Sequence, residues 1–511
     1  GYSGTKDVDV ANLETGDDFG SSVSLNGAGD RLAVGATRDD GAGDVADRNG
    51  AAYLFSFTDT DFNNGTVVSI IGKGYTNGSP KDVNVTLDSD DRFGTSVSLN
   101  AAGDRLAIGA PQDDGAGNAV NSSGAAYLFS FTDTNFNSGL LVSTIGSGYT
   151  GGKNVDVANL EDNDDFGSAI SLNAAGDRLA VGADRDDGAG NVGSTTGATY
   201  LFSFTDTNFT GGNLESTLGK GYSGTKDVDV ANLTVSDEFG SFISLNAAGD
   251  RLVVGAPNDS GAGNEASSSG AAYLFSFTDT DFNGGTLEST IGKGYSGTKD
   301  VDVANLDNFD DFGSGVSLNE AGDRLAVGAR EDDGAGNAAR DSGAAYLFSF
   351  TDTNFTGGTL VSTLGKGYSG TKDVDVANVE FDDEFGSSIS LNAAGDRLAV
   401  GAREDAGAGN AVNSSGAAYL FSFSDADFNG GTLESTIGSG YTGGKNVDVA
   451  NLEDSDSTFG DSFGSSISLN AVGDRLAVGA PRDEGARNAY QRNGAAYLFS
   501  FTDADFTGGT L

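Results

Sequence analysis

Short apolar or alternating runs, set apart by stretches rich in Gly, Asp and Asn, succeed one another along the whole chain, and none keeps the 3.6-residue period of a helix. In the first stretch the runs are residues 8–13 (VDVANL), 21–25, 31–35 (RLAVG) and 51–57 (AAYLFSF). The second and third are joined by Asn-Gly-Ala-Gly-Asp, a Gly-containing hairpin turn, and the third and fourth by a long Asp/Gly loop. Within the fourth run Tyr53, Phe55 and Phe57 alternate with Leu54 and Ser56. Several runs are apolar on both faces, the pattern of a strand that lies between two neighbouring sheets.

This unit recurs. The phrase FGSSVSLNGAGDRLAVGA returns with small changes, its Phe falling at Phe19, Phe93, Phe166, Phe239, Phe312, Phe385 and Phe463. Seven units of four short strands predict an all-β fold, a seven-bladed β-propeller of four-stranded antiparallel blades that takes in residues 1–511 as a single domain. An open solenoid needs shorter coils. Independent small domains would each bury too little apolar surface, and with no Cys they have no disulfide staples. The chain begins just before a VDVANL run and ends just after an LFSF run, so residues 7–13 are expected to complete the last blade as its outer edge. With no initiator Met, and with TGGTL standing where other copies run on to ESTIGKGY, the chain also reads as part of a longer polypeptide.

Composition narrows the function. Lys and Arg number 28 against 75 Asp and Glu, a formal charge of −47. Such a surface repels nucleic acid and anionic lipid, and no run is long enough to span a bilayer as a helix, so neither nucleic acid nor membrane insertion is expected. It attracts cations, as specific Ca²⁺ sites or as a diffuse cloud, and it equally suits a purely solubilising role. His and Cys are absent, which excludes Ser-His triads, thiol nucleophiles and His-ligated metals. A carboxylate pair remains available for acid–base work. An enzyme site normally breaks the equivalence of repeats, however, and these copies stay nearly uniform, so no catalytic role is expected.

At FGSSVSL, RLAVGA and GAAYLF the unit resembles the FG-GAP repeats of integrin α-type propellers and of bacterial surface proteins. Gly-Ala-Pro itself stands at residues 109–111, 255–257 and 479–481. The resemblance implies a seven-bladed propeller, an extracellular setting and binding functions that often need divalent cations. One departure matters. Where calcium-binding members carry an Asp-rich loop, this chain has only a short turn such as residues 100–104 (NAAGD), too poor in carboxylates for the six to eight oxygens of Ca²⁺. Asp30, Asp104 and their equivalents are expected to cap that hairpin instead.

Metal ligands are therefore sought elsewhere. The loop after RLAVG carries an Asp in every unit, with Asn or Asp five residues on. These pairs are Asp39 and Asp44, Asp113 and Asn118, Asp186 and Asn191, Asp259 and Asn264, Asp332 and Asn337, Asp405 and Asn410, Asp483 and Asn488. The loop before each Phe-Gly adds acids such as Asp17, Asp91 and Asp164. Oxygen ligands from two converging loops suit Ca²⁺, and Asx-turns that shape a Gly-rich loop account for the same residues. On the opposite face TDTDFNGG (Asp279, Asp281, Asn283) has calcium-loop order but lacks the closing Glu and reads as a turn, its Phe plugging the blade base. The Tyr53-type row reads as packing between blades. A partner-binding site is expected at the seam of the last and first blades, where the last copy concentrates Arg482, Arg487, Tyr490 and Arg492.

The combined reading is a non-catalytic binding or adhesion propeller of a secreted or cell-surface bacterial protein, stabilised by Ca²⁺, with an extracellular protein or glycan ligand. A multivalent glycan-binding lectin and an acidic scaffold without a specific ligand are the alternatives.

Overall fold

The structure, a computed structural model, describes the chain apart from residues 1, 3–5, 44–46, 60, 77–80, 134, 426, 453–459, 486–491 and 504. The first blade consists of β1 (Phe19–Leu25), β2 (Arg31–Ala36), β3 (Ala51–Ser56), β4 (Thr66–Gly72) and β5 (Val83–Asn84), hydrogen-bonded in that order. The first four are antiparallel, and the two-residue β5 runs parallel to β4, with Ile71 beside Val83. Five further sheets repeat this arrangement, and among the described residues the seventh has three strands. Seven all-β blades form the expected propeller, with no helix among the described residues.

Two of the expected strands change. The VDVANL run is no full strand: it gives the preceding blade only a short parallel edge, because the chain turns at once, as where the Leu160 N–H donates to Val157 O (3.2 Å). The fourth antiparallel strand is β4 (TVVSIIG), whose equivalents, such as TLESTIG, carry polar residues in mid-strand that obscure the apolar period. The hairpin turn is also capped differently. Asn26 Oδ1 accepts the N–H groups of Gly29, Asp30 and Arg31, while Asp30 accepts the Asn26 amide (3.0 Å).

No blade owns a core. Ala33, Ala52, Leu54 and Ile71 of the first blade pack against Ile108, Tyr127 and Phe129 of the second, and seven such clusters succeed one another around the axis. Alternation on β3 creates the two faces: Tyr53 and Phe55 fill one gap, Ala52 and Leu54 the other. In each hairpin on the opposite face the Phe predicted to plug the blade base does so. Phe62 is buried with φ +57° and meets Phe57 edge-on at 4.9 Å.

The circle closes at several radii. Around the axis, seven backbone hydrogen bonds run from the Gly27 N–H to Ala101 O (3.0 Å) and onward until the Ala471 N–H reaches Gly27 O (3.2 Å). Farther out the Phe19 N–H donates to Asn493 O (3.1 Å), and on the hairpin face Arg475 pairs with Asp61 (2.9 Å). The N-terminal segment packs on the last blade, but residues 7–13 do not add the outer-edge strand expected of them: among the described residues that sheet holds only Ser466–Leu469, Arg475–Ala480 and Ala495–Ser500. Tyr2 packs into its cluster, and Val8, Val10 and Leu13 pack against the cluster it shares with the first blade.

The glycines of Phe-Gly and Val-Gly-Ala mark a very close approach between blades. A Cβ on Gly35 would lie 2.0 Å from the Gly94 carbonyl oxygen of the next blade, and one on Gly479 would lie 2.0 Å from that of Gly20, which closes the ring. Backbone on both sides leaves nothing able to give way. Gly182→Ala, against Gly240 O at 2.0 Å, is therefore expected to cost at least the roughly 1–3 kcal/mol of an overpacked core. Its melting temperature should fall below that of Gly336→Ala, whose Cβ meets nothing within 4 Å and adds only left-handed backbone strain.

Candidate functional site

On one face of the ring the loop from β2 to β3 lies beside the loop that precedes β1, and the Arg38 N–H donates to Asp17 O (3.2 Å). The β2–β3 loop begins with Asp39, buried at 1% exposure. Its Oδ1 accepts the Gly41 N–H (2.8 Å) and the Tyr75 hydroxyl (2.9 Å), and its Oδ2 accepts the Tyr53 hydroxyl (2.6 Å). Tyr53 comes from β3 and Tyr75 from the turn after β4. Each other blade repeats this carboxylate with two phenols, as in Asp186 with Tyr200 and Tyr222. In the last blade Tyr2, from the other end of the chain, donates to Asp483 (2.9 Å) alongside Tyr497. The tyrosine row thus packs between blades and also neutralises a buried acid.

These donors do not compose a calcium shell. Each Asp39-type carboxylate has both oxygens engaged by hydroxyl and N–H groups, and Gly41 completes an Asx-turn. The Asn five residues on does not converge with it. Asn118, Asn191, Asn264, Asn337 and Asn410 are exposed, and Asn191, Asn337 and Asn410 donate instead to Glu161, Asp307 and Glu380. Asp44 and Asn488 lie outside the described residues. Among the described residues no group of three or more acids is placed to hold a metal ion. The hairpin on the opposite face is likewise committed: Asp279 Oδ1 accepts the N–H groups of Asp281 and Asn283 (3.0 and 3.2 Å), and Asp281 pairs with Arg178 (2.9 Å).

A second buried carboxylate stands near each first one. Asp17 Oδ2 accepts the Glu14 N–H (2.7 Å), and burial, with the Asp39 charge second, pushes its pKa up to about 8. Asp91, Asp164 and Asp310 also rise to about 8, and Asp237 and Asp383 to about 7, in each case chiefly through burial. Burial raises the pKa of the inner Asp as well, and the hydroxyl and N–H donors that point at it oppose that rise. In the sixth blade Asp405 is raised less, to about 6, by burial.

Around the axis on this face the repeats stop being alike. The residue before each Phe-Gly is Asp18, Arg92, Asp165, Glu238, Asp311, Glu384 or Ser462, every one in a left-handed backbone conformation that turns the loop over the face. Beside them the start of the β2–β3 loop supplies Arg38, Arg185, Arg330, Arg403 and Arg482. Ion pairs link the two sets, as in Arg38 with Asp18 (3.3 Å), Arg330 with Asp311 (2.6 Å) and Arg403 with Glu384 (2.6 Å). Two of the expected partner-binding residues belong to this circlet. Arg482 reaches Glu404 of the sixth blade (3.5 Å), and Arg492 reaches Asp18 across the seam (3.5 Å). Arg487 and Tyr490 lie outside the described residues. Buried Asp18 Oδ1, Arg92 Nε, Asp184 Oδ1, Arg330 Nε and Arg492 Nε have no hydrogen-bond partner here. Most of the rest of the circlet escaped the sequence reading, although comparing the seven copies column by column shows it.

Seven blades around one axis, closed by Phe19 and Tyr2, define a β-propeller. Six segments, residues 11–55, 87–129, 232–275, 305–348, 377–421 and 447–499, match the family model of the FG-GAP repeat and together cover more than half of the chain. The chain belongs to the FG-GAP repeat family. No curated protein matches it. The third blade lies outside the matched segments, yet it has the same strand order and its own Asp186 site.

The raised acids set a pH dependence. Unfolding returns them to ordinary values near 3.8, so between about pH 4 and pH 8 the folded chain holds more protons and stability falls as pH rises through that window. Melting temperature should therefore decline from pH 5 to pH 8.5 even in salt high enough to screen surface repulsion. Replacing Asp91, Asp164 and Asp310 together by Asn should flatten the decline. An unchanged slope would assign it to the acidic surface as a whole.

Proposed function

We propose that this chain is a non-catalytic binding propeller of a secreted or cell-surface protein, and that it engages an extracellular protein partner through the charged circlet around its axis. The observation that carries this reading is where the repeats depart from one another. The hairpin face keeps Asn, Gly, Asp and Arg in all seven copies, whereas the circlet alternates Asp, Glu, Arg and Ser from blade to blade. A lectin with one site per blade has no use for such variation. A solubilising surface has no use for arginines held in ion pairs beside polar atoms that lack hydrogen-bond partners. Arg is also the charged residue that most often dominates interface energy.

The carboxylate pair of each blade gives no catalytic reading. It occurs seven times, lies buried, and its inner member is occupied by two tyrosines. Family membership and the absence of Cys agree with an extracellular setting. This reading requires no bound calcium and assigns to cations the screening of the negative surface.

Binding to arrays of extracellular proteins and glycans, with calcium and with chelator, tests the reading. Replacing Arg38, Arg185 and Arg403 by Ser should lower binding at least tenfold while the melting temperature changes little. Undiminished binding by that variant, or binding to glycans alone, would remove the circlet as the site. A requirement for calcium would reopen the metal question.

A further inference from the structure

Seven large apolar side chains among the described residues are more than half exposed, and four of them lie on the face of the axial circlet. Val192 stands in the β2–β3 loop of the third blade. Val235, Phe309 and Phe381 stand in the loops that lead into Phe239, Phe312 and Phe385 of the next three blades. The Ser236 N–H donates to Ser194 O (2.9 Å), which sets Val235 beside the loop of Val192, and the Phe309 N–H donates to Ser267 O (2.8 Å) in the same way. The four form an arc over the third to sixth blades. In the first three blades the same places before Phe-Gly carry Thr15 and Gly16, Ser89 and Asp90, Asp162 and Asn163.

Folding does not account for this arc. Phe309 adopts φ +69°, in a left-handed position that Asp90, Asn163, Ser236 and Asp382 occupy in other blades. Short polar side chains tolerate that conformation, and a ring is strained in it. The left-handed Phe62 is held by burial against Phe57, whereas Phe309 is 58% exposed. Charge on this face is also one-sided. Exposed Glu265, Asp307, Glu380 and Asp382 stand in or beside the loops of the arc, with Arg340 paired to Asp382 (2.5 Å). Across the axis the last, first and second blades carry Arg38, Arg48, Arg92, Arg482 and Arg492. Among the described residues those blades expose no large apolar side chain on this face.

We infer that the arc is a docking surface for an extracellular protein segment that presents apolar side chains among Lys or Arg. The inference rests on the reading of this face as the one that meets a partner, and it narrows the contact to the third to sixth blades. The partner's apolar side chains cover Phe309 and Phe381, and its cations meet the acids beside them. Water leaves such a contact, and ion pairs at its rim strengthen as the local dielectric falls. The same acids repel nucleic acid and anionic lipid.

The probe is a peptide of alternating Lys and Leu, compared with one of alternating Lys and Ser of equal length, in salt high enough to screen diffuse attraction. The Lys-Leu peptide should bind at least tenfold more tightly. Phe309→Asn combined with Phe381→Ser should weaken it about tenfold and leave the Lys-Ser peptide unchanged. Leu140→Ser, which removes an equally exposed side chain from the opposite face, should change neither. Phe309→Asn alone should raise the melting temperature, because Asn163 takes the same conformation in the third blade. A fall would mean that Phe309 serves folding, and would overturn the inference. So would equal binding of the two peptides, Lys-Leu binding indifferent to the Phe substitutions, or Phe-dependent binding of phosphatidylcholine vesicles. The two readings of this face fail separately: the Arg38, Arg185 and Arg403 substitutions test the circlet, and the Phe substitutions test the arc.

Discussion

Each apolar face in this molecule is covered by a neighbouring blade, and that constraint governs everything else in it. A sheet whose two sides are Tyr53 with Phe55 and Ala52 with Leu54 has no dry interior of its own. It gains one only when a large face meets the small face next door, and the last blade must then meet the first. Stability is thus a chain of nearest-neighbour terms, as in open repeat arrays, with one added term for closure. That term is why contacts across the seam recur at every radius, from the backbone ring at Gly27 to the Arg475–Asp61 pair.

The same constraint explains the motif. Blades near the axis come so close that backbone meets backbone, and only glycine fits at Gly35 and its equivalents. The conserved pair of dipeptides is the two halves of one contact, read from adjacent blades. Gly20 and Gly479 lie at opposite ends of the chain, yet they form the same contact as Gly94 with Gly35. Alternation and recurrence made the blades, the ring and the plugging Phe62 legible in the sequence. The fourth strand was not, because its Ser69-type hydroxyls bond to the neighbouring segment and its middle reads as polar. Nor does sequence spacing show that Asp39 faces two phenols, one fourteen and one thirty-six residues away.

Acidity has two components that composition cannot separate. Many of the 75 acids are exposed and give the chain a strongly negative surface. The Asp17-type and Asp39-type residues are buried side by side in every blade, where two unscreened negative charges would be costly. The structure manages this by asymmetry: hydroxyl and N–H donors favour the charged form of the inner carboxylate and oppose its burial, whereas burial pushes the outer one up to about 8. The formal charge of −47 therefore overstates the charge of the folded chain at pH 7. Two tyrosine hydroxyls and one backbone N–H per blade supply the donors around the inner carboxylate.

Symmetry sets what such a ring can tell a partner. A feature present in all blades is fixed by the contacts each blade makes with the next, so its repetition reports on folding. Information about a ligand resides where equivalent positions differ while the backbone beneath them does not. The circlet satisfies both conditions: its residues keep one left-handed conformation in all seven blades, and their charge runs through Asp, Arg, Glu and Ser. A backbone that holds a constant geometry under a changing side chain is free of the packing demands that fix Gly35 or Tyr53. Its sequence can then follow a partner's surface without disturbing closure, and that separation allows a repeat built from near-identical copies to acquire one specific face.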